Sequence, residues 1–238
     1  MPLEISYPCH ASGEPAGVSG FIVRSLAFGL RQRVAGAATK PIEMDVLARR
    51  ASWMRINGRM LRIAWDWEHA VHDPDGDPVL GACEHDPAEP DMVMISLNGA
   101  MLEHQPELLR STAAHELAHA IFDMPAAIGA GRRRVFRNHA TASAPDGKRD
   151  WREWRADQFM GEFLVPRRQL ARALAQEAGA HGVALRWRVR QDVAFPMLDR
   201  SDHPAFDSII GSLAVRFGVS AAFIAVRCAK NGFVAPIQ

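Results

Sequence analysis

Residues 106–123, which read PELLRSTAAHELAHAIFD, constrain the fold more than any other part of the chain. Small and apolar residues surround His115, Glu116 and His119, which predicts a mostly buried helix over this range. Residues four positions apart project from one face of a helix, so the two imidazoles can reach a single ion. Buried charges must be paired or bound to metal. The stretch therefore predicts a metal site, and chance occurrence of the His-Glu-x-x-His spacing is a minor alternative.

These residue types fit the chemistry of zinc. The ion binds imidazole nitrogens at about 2.0 to 2.1 Å, and a catalytic site adds a third protein ligand and leaves one position for water. Glu116 lies to one side of the histidine pair, where it can contact that water and act as a general base. We therefore expect His115 and His119 to bind Zn2+ and Glu116 to be catalytic.

A second predicted helix, DWREWRADQFMGEFLV at 150–165, supplies a candidate third ligand. Glu153 would complete a His, His, Glu set. Asp157, one turn further on, would accept a hydrogen bond from the outer nitrogen of a ligating histidine and fix its tautomer. In the alternative interpretation, Glu153 is a surface carboxylate that pairs with Arg152 or Arg155. The spacing alone leaves both interpretations open.

These motifs resemble the ImmA/IrrE family of gluzincin-type metallopeptidases. The family has an Arg and a Thr before His-Glu-Leu-Gly-His, similar to RSTAAHELAH at 110–119. It also has a later helix with Glu-x-x-Ala-Asn/Asp-x-Phe that ends in Leu-Met-Pro, similar to EWRADQFMGEFLVP at 153–166. A closing RFGVS segment is matched at 216–220, and the resemblance covers about residues 40–235.

Three departures from the family pattern concern the substrate rather than the metal. Ala118 replaces the usual glycine, Val165 replaces the usual methionine, and an arginine-rich loop lies between His119 and Glu153. None of these changes removes a ligand or the base.

The resemblance implies an α+β, zincin-like fold, in which a small, mostly antiparallel sheet packs on the active-site helix with additional helices. It implies a zinc-dependent endopeptidase of narrow specificity that cleaves a helix-turn-helix transcriptional repressor. Glu116 would deprotonate the attacking water, and a second electrophile would stabilise the oxyanion. The candidates are His139, His104 and an arginine within 132–137. We favour His139, although it is alternatively a solvated loop histidine.

The remaining sequence predicts a mixture of helices and strands. The strand MVMISL at 92–97 precedes the metal helix, so it is either an edge that binds substrate as an added strand or an interior strand. The expected elements are an irregular tail at 1–18, helices at 18–34 and from Pro41, strands at 59–65 and 79–83, a loop at 126–149, a helix at 167–179, strand character at 183–190 and a closing helix pair at 205–232. We place the N-terminal tail and helix at 1–40 and the peptidase-like domain at 41–238.

Composition excludes some classes of function. Because 28 Lys and Arg stand against 27 Asp and Glu, no global charge attracts the chain to nucleic acid or to an anionic membrane. Cys9, Cys83 and Cys228 are too widely spaced for a disulfide framework or a thiolate zinc cluster. The first residues lack the pattern of a secretion signal, so we expect a cytoplasmic protein.

Two features favour rival functions. The closing helices have the rhythm of a helix-turn-helix, but Ala221, Ala222 and Phe223 offer no donors to base edges, which favours packing or partner docking over DNA recognition. The basic segment GRRRVFRNHA at 131–140 could bind phosphate or an acidic partner, or be simply solvated. The rivals to the peptidase are therefore a non-cleaving, antitoxin-type binding protein and a DNA-binding regulator.

Overall fold

The computed structural model describes residues 2–36, 40–139, 150–190, 193–199 and 203–234. These residues form a mixed α+β structure with a small sheet and several helices. The chain divides into two compact units: Met1–Ala37 with Ile42–Phe163, and Ala38–Pro41 with Leu164–Gln238. The domain limits expected from the sequence remain a prediction.

A six-stranded sheet runs through the first unit. Its strands in chain order are β1 (Leu3–Ile5), β2 (Trp53–Ile56), β3 (Arg59–Asp66), β4 (Gly81–His85), β5 (Met92–Leu97) and β6 (Arg134–Asn138). They lie in the order β1-β2-β3-β5-β4-β6. Three pairings are antiparallel (β2–β3, β4–β5, β4–β6) and two are parallel (β1–β2, β3–β5). The sheet is therefore mixed, and antiparallel pairings are in the majority, as expected.

The strand order decides between the two interpretations of residues 92–97, a substrate-binding edge and an interior strand. Ile63 of β3 pairs with Val93 on one side of β5, and Cys83 of β4 pairs with Ile95 on the other. Both sides of β5 are therefore occupied, and it is an interior strand.

The prediction of a loop at 126–149 is partly wrong. Residues 134–138 form β6, which pairs antiparallel with β4 at the end of the sheet, with Phe136 opposite Cys83. Val135 and Phe136 have high strand propensity, and pairing with β4 outweighs the polarity of the arginines around them. A short helix takes up the start of the same segment.

The helices of the first unit follow the predictions more closely. They are α1 (Gly20–Ala35), α2 (Met44–Ala51), α3 (Gly99–Leu102), α4 (Pro106–Phe122), α5 (Met124–Gly129) and α6 (Trp151–Leu164). The helix expected around His115 and His119 is confirmed as α4, with Pro106 in its first turn, where a missing N–H costs nothing. The expected start of α2 at Pro41 is wrong, because Glu43 is its N-cap and the helix begins at Met44.

Helix α4 packs on β4 and β5, and a glycine permits its close approach to β4. A Cβ atom at Gly81 would lie 2.7 Å from Cγ2 of Thr112 and 3.3 Å from Cγ of Glu116. Side-chain carbons do not approach to 2.7 Å without displacement, so the glycine sets the distance between the helix and the strand.

The N-terminal segment is more ordered than the expected tail. Its strand β1 pairs with β2, and the buried Tyr7 follows it. The Tyr7 hydroxyl donates a hydrogen bond to the carbonyl oxygen of Ile121 at 2.7 Å, and its ring lies 5.1 Å from that of Phe122. The segment thus satisfies one of the free carbonyls at the C-terminal end of α4.

The second unit contains helices and a β-hairpin. Its elements are α7 (Arg167–Ala180), β7 (Arg186–Arg190), β8 (Val193–Met197), α8 (His203–Phe217) and α9 (Ala221–Asn231). The sequence predicts strand character at 183–190 and no partner for it. The structure shows that β7 pairs antiparallel with β8. The closing helix pair is confirmed, and Ser220 caps α9 by accepting the backbone N–H of Phe223 at 3.1 Å.

Among the described residues, no single helix is long and apolar enough to cross a membrane; α8 and α9 meet the length and composition test only together, across a bend of 103°.

Candidate metal centre

Two helices of the first unit bring three metal-binding side chains together. His115 and His119 project from α4, and Glu153 lies in the first turn of α6. The two Nε2 atoms are 3.2 Å apart, and the Glu153 carboxylate oxygens lie 3.1 Å from Nε2 of His115 and 3.3 Å from Nε2 of His119. Sequence analysis named these three residues, and the structure places them together as one candidate metal-binding group.

The size of this donor triangle fits a zinc ion. Ligands at about 2.0 to 2.1 Å from a tetrahedral zinc are roughly 3.3 Å from one another. The three observed separations, 3.1 to 3.3 Å, are close to that value. Two imidazoles and one carboxylate form a donor set that is common in catalytic zinc sites. The donor types and their spacing therefore suit a cation of the size of zinc.

In the described structure, Glu153 contacts the two histidines. The structure does not show the alternative in which Glu153 pairs with Arg152 or Arg155, because the Arg155 guanidinium contacts Asp123 at 2.7 Å instead. The Glu153 side chain is 49% exposed, whereas the two histidines are buried. The candidate group thus has two buried ligands and one that faces solvent.

Asp123 holds the His119 ring, and sequence analysis missed it. His119 donates from Nδ1 to Oδ2 of Asp123 at 2.9 Å, and Arg155 donates to the other carboxylate oxygen. This hydrogen bond places the proton of a neutral His119 on Nδ1 and leaves Nε2 free to bind metal. The available signal was the position of Asp123, four residues after His119.

Phe136 of β6 is a second neighbour of His119 that the sequence did not reveal. The two rings are stacked, with centroids 4.3 Å apart and an interplanar angle of 5°. His119 is therefore fixed on its face by Phe136 and at its outer nitrogen by Asp123. Phe136 lies in the segment expected to be a loop, so only the pairing of β6 with β4 brings it to this position.

The other predicted site residues lie further from the triangle. Oδ1 of Asp157 is 3.7 Å from Nδ1 of His115, which is longer than a hydrogen bond. His139 is exposed and directly follows β6, and no hydrogen bond or ion pair joins it to another described residue. His104 is exposed beside Glu103. The roles assigned to Asp157 and His139 stay predictions.

Glu116 is fully buried beside the two histidines, and neither of its carboxylate oxygens has a hydrogen-bond partner in the described structure. Burial raises the pKa of Glu116 to about 7; the Glu153 carboxylate adds to this rise, and the two histidines oppose it. A carboxyl group with a pKa near neutrality can both accept and return a proton.

The charges of the metal-binding group compensate one another. Burial lowers the pKa of His119, but hydrogen bonds to Asp123 and Glu153 outweigh this effect and raise it to about 10. Burial raises the pKa of Glu153, but its hydrogen bonds with His115 and His119 hold it well below the usual range. Without an ion, a proton on the histidine pair thus balances the carboxylate, and a divalent cation can take its place.

Comparison with models of protein families gives a match to a peptidase family. The model of a peptidase family, described as the IrrE N-terminal-like domain, matches residues 102–229, which are more than half of the chain. The match includes both α4 and α6. No curated protein and no solved structure matches the chain.

Proposed function

The chain belongs to the ImmA/IrrE family of metallopeptidases, and from this premise we propose that it is a zinc-dependent endopeptidase of narrow specificity. A peptidase acts on a protein substrate. Our proposal adds the metal, the residues that bind it and the kind of protein that is cut.

One observation carries the proposal: a donor triangle of zinc size lies beside a buried, unpartnered carboxylate. His115, His119 and Glu153 are the proposed ligands, and Glu116 is the proposed general base. A structural zinc site has four protein ligands, whereas three leave room for a water molecule. The position of α4 against the sheet supports the zincin-like arrangement that we propose for this fold.

A zinc ion at this site would act as a Lewis acid and lower the pKa of a bound water molecule. Glu116 accepts the proton of the attacking water and returns it to the amine that leaves the cleaved peptide bond. Its burial supports this role, because a carboxylate with a pKa of about 7 is protonated and deprotonated with little cost at neutral pH. Asp123 and Phe136 hold the His119 ring in position throughout.

Two further roles remain part of the proposal. His139 is our candidate for the group that stabilises the oxyanion, since β6 carries it out of the sheet directly after Asn138. Asp157 is our candidate for the partner of His115, with a separation of 3.7 Å that a small rotation of either side chain would shorten.

We propose that the substrate is a helix-turn-helix transcriptional repressor and that cleavage takes place in the cytoplasm. Both proposals follow from the family resemblance. Narrow specificity is consistent with that location, where an indiscriminate peptidase would be harmful.

Metal analysis of the purified protein tests the site. We expect one zinc per chain, lost in His115→Ala and retained in Glu116→Gln. The matched control is His104→Ala, an exposed histidine outside the donor triangle, which should keep its zinc. A native protein that binds no metal would contradict the assignment.

Incubation with the repressor encoded beside this protein tests the activity. We expect a discrete cleavage that Glu116→Gln abolishes and His139→Ala slows. A stable complex without cleavage would favour the non-cleaving binding protein. Duplex DNA binding that depends on salt and survives both substitutions would favour the DNA-binding regulator.

A further inference from the structure

A cavity lined with arginines lies close to the metal-binding group. Its volume is about 450 Å³, and five arginines and three acidic residues line it. Two of the acidic residues are already engaged: Asp123 accepts from Arg155 and His119, and Oδ1 of Asp150 accepts the backbone N–H of Arg152 at the start of α6. The third, Glu14, is exposed. With five guanidinium groups against three carboxylates, the lining carries a net positive charge.

Among the described residues, only Arg155 of the five arginines has an acidic partner, and the Arg134 guanidinium lies over the Phe136 ring. Arg132, Arg133 and Arg152 form no ion pair with any residue that the structure describes. Guanidinium groups bind carboxylates through two parallel hydrogen bonds, which makes arginine well suited to recognise them. A cluster of unpaired arginines in a cavity also repels other cations. A ligand of this cavity should therefore carry several negative charges.

The cavity and the metal-binding group share a wall. Asp123 lines the cavity and accepts a hydrogen bond from His119, one of the proposed ligands. Arg134, another lining residue, is the first residue of β6, and Phe136, two positions later, stacks on His119. At about 3.3 Å per residue, two positions along a strand span roughly 7 Å. A chain that passes the metal site can thus reach the arginines within a few residues.

The edge of the sheet offers a path for such a chain. β6 is the last strand in the sheet order, and within the described residues only β4 pairs with it. An extended peptide can add to a free strand edge through backbone hydrogen bonds, with alternate side chains entering neighbouring pockets. Arg134, the first residue of β6, lines the cavity, so a polypeptide that follows this edge would pass the cavity.

We propose that this cavity is a specificity subsite that receives acidic side chains of the polypeptide substrate, a few residues from the cleaved bond. The inference rests on the proposed function, because it assumes that a polypeptide crosses the metal site. It adds the chemical class of the substrate segment, which must carry Asp or Glu where it meets Arg132, Arg133 and Arg152.

Binding to the zinc-loaded Glu116→Gln protein tests the subsite without requiring cleavage. The probes are a short, fluorescently labelled poly-glutamate peptide and its poly-glutamine counterpart, followed by fluorescence anisotropy. Arg132→Gln combined with Arg133→Gln removes two of the arginines without an acidic partner, and Arg152→Gln removes another from a different element. The matched control is Arg168→Gln combined with Arg172→Gln, two exposed arginines of α7.

We expect the poly-glutamate peptide to bind and the poly-glutamine peptide to bind far more weakly. Each cavity variant should weaken the poly-glutamate complex about tenfold, which corresponds to roughly 1.4 kcal/mol, while the control changes it less than about twofold. Circular dichroism and zinc content would check that each variant is folded.

Three results would overturn the subsite. They are equal binding of both peptides, an equal loss in the α7 control, and binding that survives the arginine substitutions but disappears in His115→Ala, which would place the peptide on the metal. Failure of the subsite can be distinguished from failure of the proposed peptidase activity. Arginine-dependent binding without cleavage of any repressor would retain the subsite and reject the peptidase, and cleavage that ignores the arginines would do the reverse.

Discussion

Nδ1 of His119 donates a hydrogen bond to Asp123 at 2.9 Å, and this contact links the metal-binding group to the rest of the first unit. Asp123 in turn accepts from Arg155, which extends from α6, the helix that carries Glu153. A single carboxylate therefore orients His119, a proposed ligand on α4, and ties α4 to the helix that carries Glu153, the proposed third ligand. The arrangement favours a preformed site over one that the metal must assemble.

Asp123→Asn should weaken zinc binding by about 10- to 100-fold, which is the usual cost of removing a carboxylate behind a ligating histidine. An amide holds the ring less strongly because it lacks the negative charge. Competition with a chromophoric chelator would measure the affinity. Asp157→Asn is the matched control: its carboxylate lies 3.7 Å from His115, so we expect a smaller loss. A larger loss in Asp157→Asn would reverse the importance of the two carboxylates.

Glu116 should make the stability of the metal-free protein depend on pH. An unfolded glutamate has a pKa near 4.5, whereas burial raises that of folded Glu116 to about 7. The folded state thus binds this proton more tightly, so its contribution to stability falls as pH rises from about 4.5 to 7. Urea unfolding of the wild type and of Glu116→Gln at several pH values would isolate the contribution of Glu116 to the free energy of unfolding. Between pH 4.5 and 7, we expect the free energy of unfolding of the wild type to fall relative to that of Glu116→Gln by at most about 3 kcal/mol. If the difference between the two proteins does not change with pH, the raised pKa is contradicted.

Gly81→Ala should destabilise the protein and disturb the metal site together. The new methyl group would lie 2.7 Å from Cγ2 of Thr112, so α4 must move away from β4 at an expected cost of about 1 to 3 kcal/mol. Gly29→Ala, in α1, is the control, since no atom lies within 4 Å of the added Cβ, and alanine favours a helix. Thermal unfolding and zinc titration would measure the two effects. We expect stability and zinc affinity to fall in Gly81→Ala and to stay unchanged or rise in Gly29→Ala.

The parts of the site that local sequence could predict are those that lie on one helix. The spacing of His115, Glu116 and His119 predicts their relative positions, because the number of residues per turn is the same in every α-helix. Glu153 lies on another helix, and choosing it over a surface carboxylate required the family resemblance. Asp123 was missed although it follows His119 by four residues, because it stands at the C-cap of α4, beyond the expected metal motif.

The errors in the fold concern pairing between distant segments. The apolar run at residues 92–97 predicts a strand, but only the partners of that strand determine whether it is an edge. The segment around Phe136 carries arginines and reads as a solvated loop, yet it pairs with β4, about fifty residues earlier in the chain. Local propensity contains no information about such a partner.

Zinc binding to the metal-free protein should release protons. Metal ligands must be deprotonated, and the hydrogen bonds to Asp123 and Glu153 raise the pKa of His119 to about 10, so this histidine is protonated at pH 7 before the ion binds. We expect roughly one proton per zinc at pH 7 and an affinity that rises with pH up to about 10. Calorimetry in two buffers of different ionisation enthalpy would count the protons. Asp123→Asn removes one of the hydrogen bonds that raise this pKa, so it should release fewer; equal release from both proteins would mean that Asp123 does not control the protonation of His119.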